Sequence, residues 1–304
     1  MLSEEITDPV LIHRLAALPP DGILRFTLLG GMVRGALASG TAMACRMRAN
    51  HRLGIIESLA LSQAYLCAAL SSVSAKDGDR TAIRMDCSGA LRGFSVEATW
   101  DGKVRGYLFN DSIRIDRPLD SFDLTPFLGS GTLSVSRFQA EGEPFSGHVA
   151  MVEGGIAKNM AEYYLRSEQT RTAISVGVKF DAEGRIAGAG GLFLQALPGA
   201  ADSDMEDAED RIAELPSMGD WYSRGGSSGE FLSRWFGAFE PDVMATGPLR
   251  FECPCSRERF ASFVARLPKH ELEAMIDPAE VVCHNCGSAY HFSLDELKGF
   301  AADR

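Results

Sequence analysis

The sequence predicts a chain in three parts. These are an α+β N-terminal core domain over 1–198, a helical linker over 199–248, and a small C-terminal domain over 249–304 built around four cysteines. Three observations carry this. Strand-like and helix-like patterns mix through the first part without strict β–α–β alternation, as in α+β domains. The composition turns acidic and then aromatic after Pro198. Near the C-terminus, "RFECPCSRERF" is answered by "VVCHNCGSAYHF", which sets Cys253/Cys255 and Cys283/Cys286 as two close pairs with 27 residues between them.

The core elements follow in order. "GILRFTLLGG" begins strand-like, with Ile23, Leu24, Phe26, Leu28 and Leu29. "LGIIESLALSQAYLCAALSSVSA" is rich in alanine and leucine and spaces its apolar residues helically, so a helix is expected. "TAIRMDCSG", "LRGFSVEATWDGKVRGYLF" and "GTLSVSRFQAEGEPFSGHVAMV" read as strands, with a hairpin turn at Asp101-Gly102. "GGIAKNMAEYYLRSEQT" reads as a helix with Ile156, Met160, Tyr163 and Tyr164 on one face. "AISVGVKFDAEGRIAGAGGLFLQAL" closes the domain as two strands joined at Glu183-Gly184. The "GAGG" at 188–191 lacks a following Lys-Ser/Thr pair and opens into an apolar strand. It therefore predicts close packing or a bulge, not a phosphate loop.

The linker has two halves. "GAADSDMEDAEDRIAEL" carries Asp202, Asp204, Glu206, Asp207, Glu209, Asp210 and Glu214 against Arg211 alone, the pattern of a solvated helix start or linker. After it, Trp221, Tyr222, Phe231, Trp235, Phe236 and Phe239 place six aromatics in 19 residues, where aromatics make up 9% of the chain. "EFLSRWFGAF" presents Phe231, Leu232, Trp235, Phe236 and Phe239 as one stripe. The intervening "GGSSG" reads as flexible. Such a stretch must bury its aromatics, yet its glycine, serine and acid content make it a marginal folder.

Charge limits the partners. The net charge is −11, and residues 249–304 carry seven Lys/Arg against nine Asp/Glu. Neither supplies the basic face that nucleic-acid binding requires, so no nucleic-acid partner is expected. The acidic start has no apolar run of signal-peptide type, and no apolar stretch approaches a membrane span. A cytosolic protein without a membrane partner is expected.

Four clustered thiols in a reducing compartment admit three readings: a permanent structural zinc knot, a disulfide framework, or a thiol switch that alternates between the two. Zinc takes four ligands in a tetrahedron and favours thiolates. Cys283-His-Asn-Cys286 has knuckle spacing and is followed by Gly287, where a turn needing positive φ is expected. Cys253-Pro-Cys255 is tighter. The stretch between the pairs reads as one or two helices, with Phe260, Phe263, Val264 and Leu267 on one face and a second cluster of Leu272, Met275 and Ile276. A unit of this size has too little core to stand alone, so one zinc per chain on Cys253, Cys255, Cys283 and Cys286 is expected to hold it. His270, His284 and His291 are expected at the surface or around the site, since four thiols complete the shell. Cys45, Cys67 and Cys87 are expected to be buried free thiols.

The motifs "FECPCSRERF" and "VVCHNCGSAYHF" resemble the C-terminal zinc motif of the 33-kilodalton chaperonins, redox-regulated heat-shock chaperones of bacteria. "MAEYYLRSEQT" followed by "AGAGGLFLQALPG" resembles the core-domain signature of the same family. The resemblance spans nearly the whole chain and is weakest over 200–248. It implies a holdase and no enzymatic role. The reduced protein would hold zinc and be inactive. Oxidation of Cys253, Cys255, Cys283 and Cys286 to disulfides between near neighbours would release the metal. The small domain and the linker would then unfold, and unfolding client proteins would bind, with a homodimer formed on activation. Trp221, Phe231, Trp235, Phe236 and Phe239 are the candidate linker or client-binding residues. A rival reading is a protein-binding adaptor whose zinc domain is purely structural. No Ser/His/Asp grouping, H-E-x-x-H or phosphate loop supplies an enzyme.

Overall fold

The computed structural model describes residues 1–115 and 121–302. The core begins with α1 (Pro9–Ala17), β1 (Gly22–Leu28), β2 (Val33–Ser39), α2 (Thr41–His51) and α3 (Ile55–Ser71). There follow β3 (Arg80–Cys87), β4 (Gly93–Thr99), β5 (Lys103–Leu108), α4 (Thr125–Leu128), β6 (Gly131–Phe138) and β7 (Phe145–Ala150). Next come α5 (Ile156–Ser167), β8 (Thr172–Phe180), β9 (Ile186–Ala196), α6 (Asp202–Ala213), α7 (Met218–Ser223) and α8 (Ser228–Phe236). The chain closes with β10 (Asp242–Pro248), β11 (Arg250–Phe251), α9 (Arg257–Val264), α10 (Lys269–Glu273), β12 (Ala279–Val282), β13 (Ala289–Phe292) and α11 (Leu294–Ala302).

Two sheets organise these elements. One has the order β10-β1-β2-β9-β8, the other β11-β5-β4-β3-β6-β7. Helix α3 packs on strands of both, and every residue from Ile56 to Ser71 except Gln63 is buried. A helix apolar all round belongs inside a core, and the alanine-rich sequence lets the sheets approach it closely. Both expected hairpins form, β4–β5 around Asp101-Gly102 and β8–β9 around Glu183-Gly184. In α5 the four residues Ile156, Met160, Tyr163 and Tyr164 share a buried face, as their spacing predicts.

The first sheet is apolar on both faces. Ile23, Ala36, Ala38 and Phe193 join the main core. Phe26, Leu28, Val33, Leu37, Leu192 and Leu194 line the other face, covered by Met205 and Ala208 of α6, Met218 and Tyr222 of α7, and Phe231, Leu232 and Phe236 of α8. The "GAGG" glycines make this cover possible. A Cβ on Gly188 would fall 2.2 Å from the Gly219 carbonyl oxygen, and one on Gly190 would fall 2.2 Å from the Tyr222 ring. The glycines thus serve close packing, and α7 lies directly on β9.

Three local expectations are corrected. "GGSSG" is a built turn: Ser227 caps α8 by accepting from the Glu230 N–H at 3.2 Å, and Trp221 Nε1 donates to the Ser227 carbonyl at 3.2 Å. This is a capping box, with the Glu230 carboxylate accepting in return from the Ser227 N–H. In α9 the packed face runs through Phe260, Ala261, Val264 and Ala265, whereas Phe263 is 51% and Leu267 38% exposed. Ile276, expected in the second cluster, is 85% exposed, while Leu272 is buried.

Strand β10, which ends the 199–248 stretch, is an edge strand of the core sheet. It pairs antiparallel with β1 and carries a bulge opposite Arg25/Phe26. Its sequence, "DVMATGP", has little of the usual strand composition, and the pairing was not expected from it.

Candidate metal centre

Strand register delivers the first cysteine pair. β11 runs parallel to β5, with Arg250 opposite Lys103 and Phe251 opposite Val104. The ladder continues as the Glu252 N–H donates to the Val104 carbonyl at 3.1 Å. Cys253 therefore emerges beside Arg105. Ser256 then caps α9 by accepting from the Arg259 N–H and turns the chain away.

The second pair sits in the turn of the β12–β13 hairpin. The N–H groups of Cys286 and Gly287 both donate to the Cys283 carbonyl, and the Cys283 N–H donates to the Ser288 carbonyl. Gly287 has φ +68°, and a Cβ there would fall 2.3 Å from the Asn50 carbonyl oxygen. Glycine is needed both for the backbone conformation and for docking on the C-terminus of α2.

All four sulfurs lie within 4.8 Å of one another and all four cysteines are buried. Cys255 Sγ is 3.3 Å from Cys286 Sγ, and Cys253 Sγ is 3.8 Å from Cys283 Sγ. Tetrahedral zinc with Zn–S bonds of about 2.3 Å sets its sulfurs roughly 3.8 Å apart, so the donor set fits the metal. Electrostatics points the same way. The Cys253 thiol is pushed far down by hydrogen bonds from the Cys283 and Cys286 thiols, with a further one from Arg105. Cys283 is pushed up to about 11, first by its hydrogen bond with Cys253, and Cys286 is driven up by the same two neighbours. Thiols this close oppose one another's ionisation, and a divalent ion is what lets four thiolates coexist.

A ring of polar contacts surrounds the sulfurs. Tyr290 Oη lies 3.2 Å from Cys255 Sγ, Ser288 Oγ lies 3.1 Å from Cys286 Sγ, and Arg105 Nη1 donates to Cys253 Sγ at 3.4 Å. Asn50 Nδ2 donates to the Cys286 and Leu2 carbonyls, both at 2.9 Å. The Met1 amino group donates to the Cys255 carbonyl at 2.6 Å, and Leu2 exchanges two hydrogen bonds with Ser288. Sequence reading did not find Arg105, Asn50, Ser288, Tyr290 or the N-terminal segment. Only Tyr290 and Ser288, beside the second pair, carried a local signal.

His270, His284 and His291 are exposed around the unit. Cys45 and Cys67 are buried elsewhere and burial pushes both thiols up to about 12; Cys87 is half-buried and raised for the same reason. Of the aromatics singled out, Phe231 and Phe236 are buried against the core sheet, while Trp221, Trp235 and Phe239 are half-buried beside them. Trp221 meets Phe231 edge-on at 5.4 Å, and Phe239 lies 5.9 Å from Phe236. The structure thus gathers the aromatics on one sheet face and the cysteines at a separate corner, joined by β10 and β11.

A two-sheet α+β core that carries a buried four-thiol unit near its C-terminus defines a class of protein with a terminal module whose donor set could hold a metal. Comparison with known proteins makes this specific. The family model described as "Hsp33 protein" matches residues 21–293, and the chain belongs to the Hsp33 family. The "33 kDa chaperonin" of Lactiplantibacillus plantarum is 32% identical over 88% of this chain and 92% of that protein. The "33 kDa chaperonin" of Bacillus subtilis is 29% identical over 92% and 97%. The crystal structure of the 33 kDa chaperonin, heat shock protein 33 homolog, from Thermotoga maritima superposes with a TM-score of 0.83 at 28% identity, covering 94% of this chain and 99% of that one.

Proposed function

We propose that this chain is a holdase chaperone controlled by the redox state of Cys253, Cys255, Cys283 and Cys286. The observation that carries the reading is the gathering of four buried sulfurs within 4.8 Å in a unit with little core of its own. The names of the relatives, 33 kDa chaperonins, support a chaperone role without enzymatic turnover. When bound, one zinc per chain would cross-link the two cysteine pairs and contribute on the order of 10–16 kcal/mol of apparent folding free energy.

In the reduced state the unit docks on α2 and β5, and α6–α8 cover the apolar sheet face. A thiolate attacks peroxide, breaking the O–O bond and forming a sulfenic acid; a neighbouring thiol displaces water and closes a disulfide. One peroxide is reduced to two waters for each disulfide formed. The expected pairs are Cys253–Cys255 and Cys283–Cys286, which remain neighbours once the unit opens. Two disulfides leave no thiolates for zinc, and the unit then lacks what holds it. Residues 199–248 act as a linker between the core domain (1–198) and the switch domain (249–304). Its release bares Phe26, Leu28, Val33, Leu37, Leu192 and Leu194, together with Trp221, Phe231, Trp235, Phe236 and Phe239, as the surface for unfolding clients. The acidic side chains of α6 keep that sticky state soluble. A cytoplasmic setting, whose poise keeps the thiols reduced until stress, suits this chemistry, and a homodimer on activation belongs to the same reading.

The test pairs zinc release with client aggregation, followed by light scattering, in reduced protein and after peroxide with mild heat. Oxidation should release one zinc per chain and switch on suppression of aggregation. Zinc release without suppression would leave a structural metal unit on an adaptor.

A further inference from the structure

We propose that Arg105 is a positioning residue that holds the metal unit to the core only while Cys253 is a metal-bound thiolate. The inference rests on reading the four cysteines as a redox-responsive zinc site. Arg105 lies on β5, a core strand, and the parallel register with β11 brings Cys253 to it. Its guanidinium is divided. Nε donates to Glu97 Oε1 at 2.5 Å, and Nη1 donates to Cys253 Sγ at 3.4 Å. Glu97 is held in turn by Arg80 at 3.3 Å. The side chains of Arg105 and Glu97 are each 18% exposed, so water screens this chain of charges only in part. The neighbouring residue, Gly106, donates its N–H to the Asn285 carbonyl at 3.1 Å, inside the other cysteine turn. Two consecutive residues of one core strand thus touch both halves of the site.

The acceptor is what changes. A zinc-bound thiolate is a charged acceptor, and four of them around a divalent ion leave a formal charge of −2. A disulfide sulfur is neutral and a weak acceptor. When Cys253 enters a disulfide, the guanidinium keeps Glu97 and loses the sulfur, so the core side of the contact survives and the docking side does not. The structure-only alternative is that Arg105 serves the Glu97 ion pair on the sheet and meets the sulfur incidentally.

The experiment measures zinc retention by chelator competition in fully reduced protein, and the rate of zinc release after peroxide. Wild type is compared with Arg105→Gln, Arg105→Lys and Arg80→Gln. Loss of a group bonded to a metal ligand typically costs 10–100-fold in affinity. Arg105→Gln should therefore weaken retention by about 10–100-fold and speed zinc release, with Arg105→Lys recovering most of the loss. Arg80→Gln, which disturbs Glu97 without reaching the sulfur, should stay within about threefold of wild type, well below that range. Retention in Arg105→Gln equal to wild type would overturn the inference, as would equal losses in Arg105→Gln and Arg80→Gln. If Arg105→Gln does not fold, the lysine variant decides: zinc held near wild-type strength supports the role of the charge, and a full loss overturns it. Wild type that holds no zinc overturns the metal reading itself, an outcome distinct from a failure of Arg105 alone.

Discussion

Replacing Phe236 with alanine is expected to lift α6–α8 from the core sheet without melting the core. Phe236 is fully buried among Phe26, Leu37 and the other side chains of the outer cluster. Truncating a buried phenylalanine costs about 3–5 kcal/mol, transfer and cavity together. At about 1.4 kcal/mol per tenfold, the docked-to-released ratio should fall by between roughly a hundredfold and a few thousandfold. Trp235, only half-buried, should cost less when truncated. The assay is limited trypsin digestion of reduced, zinc-loaded protein, because Arg211, Arg224 and Arg234 fall within the affected stretch. When opening is fast relative to cleavage, the digestion rate tracks the open population and should rise by a comparable factor. Dye binding to bared apolar surface and basal suppression of aggregation should rise with it. Unchanged cleavage at those three sites, with the whole chain melting in one step at lower temperature, would refute the reasoning. The aromatics would then be part of the core and not a removable cover.

Three further outcomes are expected. Gly188→Val should loosen α7, since even a Cβ there meets backbone atoms of Gly219 and Ser223 that cannot rotate away; raised digestion at Arg224 in reduced protein checks this. Substituting Cys45, Cys67 and Cys87 together with alanine should leave peroxide activation intact, because burial holds the first two near 12 and raises the third, so few thiolates form at neutral pH. Asp21 caps α2 from a distance, accepting from the Ala42 and Met43 N–H groups, and burial pushes its carboxyl from 3.8 up to about 6. A raised carboxyl favours the fold when protonated. Its contribution is full below about pH 4 and is lost as pH rises through about 6, up to about 3 kcal/mol in all. Asp21→Asn should flatten the rise in melting temperature between pH 7.5 and pH 5.

Periodicity and turn chemistry made most of the core legible. The alanine-rich run at 55–71, the Asp101-Gly102 turn and the four-residue face of α5 each fold as their local pattern dictates. The cysteine cluster was legible because metal ligands carry their own spacing. What stayed hidden depends on partners distant in sequence. Arg105 reads as one charged residue on an ordinary strand, and only the register with β11 brings it to a sulfur. Asn50 matters because a helix end meets a glycine 237 positions later. In α9 the apolar spacing picked Phe263 and Leu267, but the packed face turns Phe260, Ala261 and Val264 inward, and the two alanines on it gave no apolar signal to mark that face. "GGSSG" misled because glycine and serine serve tight caps as readily as loose linkers.

Strand β10 gives the chain an order of disassembly. The cysteine corner and the aromatic cover belong to separate clusters of buried side chains, and the backbone between them is laid along the rim of the core sheet. A pull originating at the cysteines must unzip that rim starting from Pro248, where the ladder pairs Pro248 with Gly22 and Gly247 with Ile23. The unzipping front then reaches the register slip between Ala245 and Val243, where Met244 has no opposite number and is 63% exposed. Beyond that slip the ladder holds only Val243 and Asp242, paired with Phe26 and Thr27, before the chain enters the aromatic helices, which keep their own hold on the sheet through Phe231 and Phe236.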